Sequence, residues 1–303
     1  MWVAIAVTVS HYSDPGCPWA YSVSPAHTVL RWRYGGQLQW RLVTIGLTER
    51  AEQYVQRGYT PARSARGYLK FRRYGMPFAT DPRPRVAGTG TACRAIVATR
   101  LLAPEREEAV FRALQFGWFT TPLVLDEPQG IASALERVGG LDVRAILAAL
   151  HDPEVERAYE ADRAEARTAE GGPTHFQGKA AQTDGPVRYT APSLVFEAGA
   201  RRLEAGGFQP VEAYDVVIAN LDPTLERTPP PEDLVDLLAA FPEGLVTQEV
   251  AAVLAAGNEP PDRRAAEEAL IDLVASGRAA RVPLGDDALW LPAQAARRLA
   301  RAA

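Results

Sequence analysis

The chain has two cysteines, Cys17 and Cys93, and only the first sits where a sulfur is expected to react. It lies in Asp14-Pro15-Gly16-Cys17-Pro18-Trp19-Ala20-Tyr21, between an apolar alternating run and a helix-forming stretch. A helix N-terminus presents unpaired N–H groups and the positive end of the helix dipole, which lower a thiol's pKa and favour the nucleophilic thiolate. Pro15, Gly16 and Pro18 should hold Cys17 at an exposed turn, and proline suits the first helical position. His11, Asp14 and His175 are the candidate acid–base groups, His11 because it ends the strand that leads to the sulfur. Cys93, in Thr91-Ala92-Cys93-Arg94, reads as a small core residue, with a distant resolving thiol as the other reading. Arg63, Arg66, Lys70, Arg72 and Arg73 interleave with Tyr68, Phe71 and Tyr74, a pattern that either holds an anionic or aromatic ligand or forms a solvated face. His27 and His151 read as helix-surface residues. No metal site is expected, because no His/Cys cluster has ligand spacing, and no glycine-rich phosphate loop is present.

The elements that must position Cys17 follow from periodicity. Trp2–Val9 alternates and is rich in Val and Ile, which predicts a buried strand. A helix is expected from the Cys17 turn to about Tyr34, stopped by Gly35-Gly36, and a second strand over Gln37–Leu47. Strand, helix and strand at this spacing make a βαβ unit with parallel strands and a right-handed crossover. From about Thr48 to Thr168 the pattern is mostly helical, with helices near Thr91–Leu102, Glu105–Phe116, Pro128–Val138 and Val143–Leu150. Ala169–Pro186 reads as a long polar loop, expected to be a mobile flap over Cys17. A hairpin over Ser193–Glu197 and Arg201–Glu204 precedes a helix from Pro210 to about Leu221.

The Cys17 turn, Tyr189-Thr190-Ala191-Pro192-Ser193-Leu194-Val195-Phe196 and Gly206-Gly207-Phe208-Gln209-Pro210 together resemble DsbA-like thioredoxin-fold proteins, especially the cytoplasmic FrnE-like branch. Relatives of that branch include 2-hydroxychromene-2-carboxylate isomerases and kappa-class glutathione transferases. The resemblance covers about residues 3–221. It implies an α/β thioredoxin-like fold with a large helical insertion, Cys17 as nucleophile, and Pro192 as a cis-proline. Ala191 would then align substrate through its backbone, while Trp19 and Tyr21 wall the site. One departure matters: Ala20 stands where the family carries its second cysteine, so Cys17 lacks the usual local disulfide partner. Three readings stay open: monothiol exchange with glutathione or mycothiol, thiol-assisted isomerisation or reduction of an electrophile, and a catalytically lapsed binding or docking protein. No covalently bound cofactor is expected.

Beyond this region, 222–231 with Thr228-Pro229-Pro230-Pro231 reads as a linker between a first domain, 1–221 (insertion about 48–168), and a second, 232–303. The second has helices near Glu232–Phe241, Thr247–Leu254 and Asp262–Ser276 and then a hairpin, the order of a winged helix-turn-helix. It carries seven Arg and no Lys against twelve acidic residues, net −5, a balance that argues against DNA as a partner. A docking or dimerisation role, including recognition of a peptide, suits it better, and a homo-oligomer is an open reading. The whole chain, 303 residues with 47% hydrophobic residues and net charge −4, excludes general disorder and a disulfide framework. No apolar stretch approaches the roughly 20 residues of a membrane span, and Trp2–Val9 lacks the flank of a signal peptide. No membrane partner and a cytoplasmic setting are expected.

Overall fold

The structure, a computed structural model, describes residues 7–183, 185–257 and 259–295. Its centre is a four-stranded sheet in the order β2-β1-β5-β6, built from β1 (Val7–Ser13), β2 (Leu38–Thr44), β5 (Ser193–Ala198) and β6 (Arg201–Gly206). β1 and β2 run parallel, and the other pairs are antiparallel. Of the strand expected over Trp2–Val9, residues 2–6 lie outside the described residues; the strand itself continues to Ser13.

The expected single helix after Cys17 is two. α1 (Pro18–Ser22) stops at Val23, and α2 (Ser24–Tyr34) starts afresh with Pro25 in its first turn. Pro25 has no N–H to donate back into the first helix and restricts the residue before it, so the break is local chemistry. Gly35, with φ +49°, ends α2.

Alternation along β1 divides the core. Val7 and Val9 join a cluster with Leu30 and Tyr34 of α2 and with Tyr214 and Ile218 of α11 (Val211–Leu221). Tyr12 joins Cys17, Val43 and Ile45 in a second cluster on the opposite face. The connection from β2 to β5 is the helical insertion: α3 (Ala51–Gln56), α4 (Pro61–Tyr68), α5 (Gly90–Leu102), α6 (Glu107–Thr120), α7 (Pro128–Leu135), α8 (Val143–Ala149) and α9 (Pro153–Ala166). α9 crosses β2, where Asp162 accepts hydrogen bonds from the Thr44 N–H and hydroxyl, both at 2.8 Å, and pairs with Arg100.

Ala169–Pro186 is not the structureless loop expected. It holds α10 (Pro173–Phe176) and β3 (Ala180–Ala181), which pairs antiparallel with β4 (Arg188–Tyr189). Pro173 begins that short helix, and Thr174 anchors it through its N–H and hydroxyl to Glu204 on β6.

After 222–231 come α12 (Leu234–Ala240), β7 (Leu245–Val246), α13 (Thr247–Leu254), α14 (Arg263–Ala275), β8 (Ala279–Leu284) and β9 (Asp287–Pro292), with the strands ordered β7-β9-β8. This unit has its own core around Trp290, Leu237, Val250 and Leu270, which also takes in Val29 of α2. Glu249, fully buried, accepts from Arg112 of α6, from the Thr28 hydroxyl of α2 and from the Val246 N–H. Arg72 pairs with Asp286 and Arg263 donates to the Gly75 carbonyl, so the unit is also tied to the segment after α4.

Candidate active site

Pairing of β1 with β5 sets the site. Tyr12 lies opposite Ser193, so the chain leaving β1 toward Cys17 and the chain entering β5 through Pro192 meet at one end of the sheet. The Ala191–Pro192 peptide bond is cis. Cys17 caps α1, and its Sγ lies 3.0 Å from the Ala191 carbonyl oxygen, to which the thiol donates. The sequence thus brings Cys17, Ala191 and Pro192 together from positions far apart in the chain.

The sulfur is not exposed as the turn suggested. Cys17 is only 6% exposed, and burial pushes its pKa up to about 12. The nearby Asp14 carboxylate pushes the same way, while the N–H groups of Ala20 and Trp19 and the charge of Arg188 oppose it. The helix-end effect therefore operates but loses to desolvation, and the resting group is a thiol.

Asp14 is the structural centre of the turn. Its carboxylate accepts from the Gly16 and Leu47 N–H groups, both at 2.8 Å, and from the Thr89 hydroxyl at 2.9 Å. Burial raises its pKa against these bonds. Cys93, fully buried on α5, places its sulfur 3.7 Å from the same carboxylate, and its thiol is also raised by burial. Both cysteines are free. Gly16 is required by close approach, since a Cβ there would fall 2.6 Å from Thr89 Cγ2 and 3.0 Å from the Trp118 ring.

The other expected site residues divide. Trp19, 38% exposed, packs on Phe71 at 4.9 Å and on Phe208 at 5.6 Å, and Tyr74 joins Phe208 at 4.8 Å. An aromatic surface thus stands beside the Cys17 turn, with Lys70 over Phe71 and Arg73 over Tyr74. Tyr21 does not wall the site. Its ring is buried against Phe119 and Phe78 in the insertion core, and its hydroxyl donates to the Pro77 carbonyl.

His11 is not a base for Cys17. Odd positions of β1 face α2, so its ring packs on His27 at 4.7 Å and on Phe111 at 5.8 Å. Burial, reinforced by Arg31, lowers its pKa to about 3. His27 is buried there too, not on a helix surface, and its pKa falls in the same direction, mainly through burial. His175 accepts from the Gly171 N–H and stacks on Phe176, contacts local to the segment around α10.

Two residues beside the thiol were missed. Arg188 of β4 is buried, donates to the Tyr189 carbonyl at 3.0 Å, and sets a positive charge near the sulfur. Its signal was an arginine four residues before Pro192 in a strand otherwise apolar or aromatic. Tyr54 of α3 has its phenol raised by burial and then by the charge of Asp14, but nothing in its sequence surroundings distinguished it. Among the described residues no group of three or more His, Cys, Asp or Glu is arranged to hold a metal ion.

The profile of the DSBA-like thioredoxin domain matches residues 8–190. Solved structures share the fold. A protein disulfide isomerase candidate from Nitrosomonas europaea is 18% identical, with TM-score 0.54, over 71% of this chain and 96% of its own. The cytosolic disulfide reductase DsbM from Pseudomonas aeruginosa is 17% identical, TM-score 0.50, over 71% and 98%. A DsbA oxidoreductase candidate from Streptomyces coelicolor is 20% identical, TM-score 0.51, over 74% and 92%. No curated protein matches the chain.

Proposed function

Because the chain belongs to the DSBA-like thioredoxin domain family, we propose that it is a thiol–disulfide oxidoreductase working through one cysteine, Cys17, and completing its cycle with a small thiol. The observation that carries this reading is the Cys17 Sγ facing the Ala191 carbonyl beside Pro192. An extended disulfide substrate that pairs with the Ala191 backbone competes for that carbonyl and releases the S–H. The proton passes to solvent, and the Trp19 and Ala20 N–H groups with Arg188 favour the resulting thiolate. Cys17 then attacks one sulfur of R–S–S–R′, forming Cys17–S–S–R and expelling R′–S⁻. Ala20 offers no second thiol, so a small thiolate such as that of glutathione or mycothiol attacks the R sulfur. That step restores Cys17 and yields the new disulfide. Trp19, Phe71, Tyr74 and Phe208 give the substrate an aromatic surface to lie on. The same thiolate adding reversibly to an electrophilic carbon is the isomerase form of this chemistry.

The FrnE-like branch and a reducing, cytoplasmic setting are part of the proposal, and a monothiol site is compatible with both. The order of α12, α13 and α14 before the β8–β9 hairpin favours a winged-helix module, whose acidity suits docking a protein or a second copy rather than DNA. One observation favours the rival reading, a lapsed binding protein: the thiol is buried and held protonated. Incubation with glutathione disulfide, followed by intact mass spectrometry, separates the two. The enzyme reading expects one glutathione adduct in the wild type and Cys93→Ala and none in Cys17→Ser; a wild type that takes up none supports the rival.

A further inference from the structure

A cleft of about 750 Å³ opens where α2, α6 and the segment between α12 and β7 meet. Cys17 does not line it, although Ala20 does. Its buried end holds His11, His27 and Gln115, with Trp40 of β2 beside them. His11 Nε2, His27 Nε2, Trp40 Nε1, Gln115 Nε2 and Arg112 Nε, all on residues that line the cleft, are buried without a hydrogen-bond partner among the described residues. Buried polar groups are normally paired, so five such nitrogens along one cleft point to atoms that bind there. An indole N–H and an amide NH₂ only donate, so the atoms that meet Trp40 and Gln115 must be acceptors, while each imidazole Nε2 can take either role.

Shape and charge narrow the class. His11 and His27 stand edge to face at 4.7 Å, with Trp40 5.6 Å from His27 and Phe111 5.8 Å from His11, surfaces that suit a flat ring. At the mouth are the carboxylates of Glu105, Glu108 and Glu243. Arg31 is already held by Glu108 at 3.0 Å and lies 4.2 Å over Trp40, Arg112 of the lining is neutralised by its ion pair with Glu249, and Arg106 stands 3.8 Å from Glu243. An anion meets a negative mouth, and a cation meets donors at the buried end. We propose that this cleft binds an uncharged planar aromatic molecule carrying carbonyl or hydroxyl oxygens, with those oxygens toward Trp40 and Gln115. Such sites commonly form where structural units meet, and the volume is within the usual range for small ligands.

The test is titration of the full chain with 4-hydroxyacetophenone and with 4-hydroxybenzoate, of similar shape but uncharged and anionic at the head. The expected result is saturable binding of the ketone, at least tenfold tighter than the acid, with the Trp40 indole N–H resonance moving in the nitrogen-15 spectrum. Gln115→Leu removes a donor, and Ala240→Trp obstructs the mouth from an exposed position. Both should weaken binding at least tenfold while leaving Cys17 alkylation unchanged. Absence of saturable ketone binding, equal or tighter binding of the acid, or undiminished binding by Ala240→Trp overturns the proposal.

Discussion

His11 gives a pH dependence whose size follows from its place in the core. The unfolded chain takes up a proton on this ring near pH 6.5, and the folded chain only near 3. Between these values the unfolded state holds more protons. Stability from this residue is therefore complete above pH 6.5 and is lost as pH falls toward 3. The full span is 3.5 pH units, or about 5 kcal/mol at ~1.36 kcal/mol per unit. Between pH 7.5 and 5 the loss is about 2 kcal/mol. Asp14 acts with the opposite sign, since burial raises its carboxyl above the unfolded value of 3.8, and stability falls as pH climbs through that interval. His11→Phe keeps a ring against His27 and Phe111 and leaves Asp14 in place, so the difference between the two proteins reports the imidazole together with its smaller coupling to His27. Urea unfolding from pH 4.5 to 7.5 should show the wild type losing about 2 kcal/mol more than His11→Phe on acidification to pH 5. Equal slopes for the two proteins would refute the buried, neutral His11 and bring back an acid–base role for it.

Other expectations concern the thiol and the C-terminal unit. With its pKa near 12, the Cys17 alkylation rate should rise about tenfold per pH unit from 7 to 10; a plateau below pH 9 would show an activated thiolate. Ala20→Cys supplies the missing second thiol, and oxidised glutathione should then close a disulfide to Cys17, seen as the loss of two free thiols. Retention of both thiols would mean that α1 does not bring the two sulfurs together. Glu249→Ala leaves Arg112 buried without its partner and should cost about 3–5 kcal/mol in denaturant unfolding. A loss below 1 kcal/mol would mean that water already reaches this pair.

Much of the scaffold was legible because local patterns and tertiary packing agree. The alternation at Val7 and Val9 of β1, Pro18 at the start of α1 and Gly35 after α2 each have one local reading, and each stands where its chemistry demands. The distant segments at Cys17 and Pro192 were readable through their resemblance to a family, which local periodicity alone could not supply. Burial was not legible. The turn around Cys17 has an exposed composition, but Val43, Ala166, Val187 and Ala191 come from separate parts of the chain to form the buried cluster that holds it. His11 was misjudged by closeness in sequence. Strand parity, which places it with Val7 and Val9 on the α2 face, carried the correct signal. The anchoring of α10 depends on Glu204, a β6 side chain that no local pattern reveals.

The central claim, exchange through a single sulfur, is tested most directly by steady-state reduction of 2-hydroxyethyl disulfide with glutathione, and in parallel with mycothiol, as the reducing thiol. Wild type and Cys93→Ala should accelerate the reaction with at least one of the two thiols, and Cys17→Ser should fall to the uncatalysed rate. A Cys17→Ser protein as fast as wild type, or a wild type no faster than buffer with both thiols, would contradict the account.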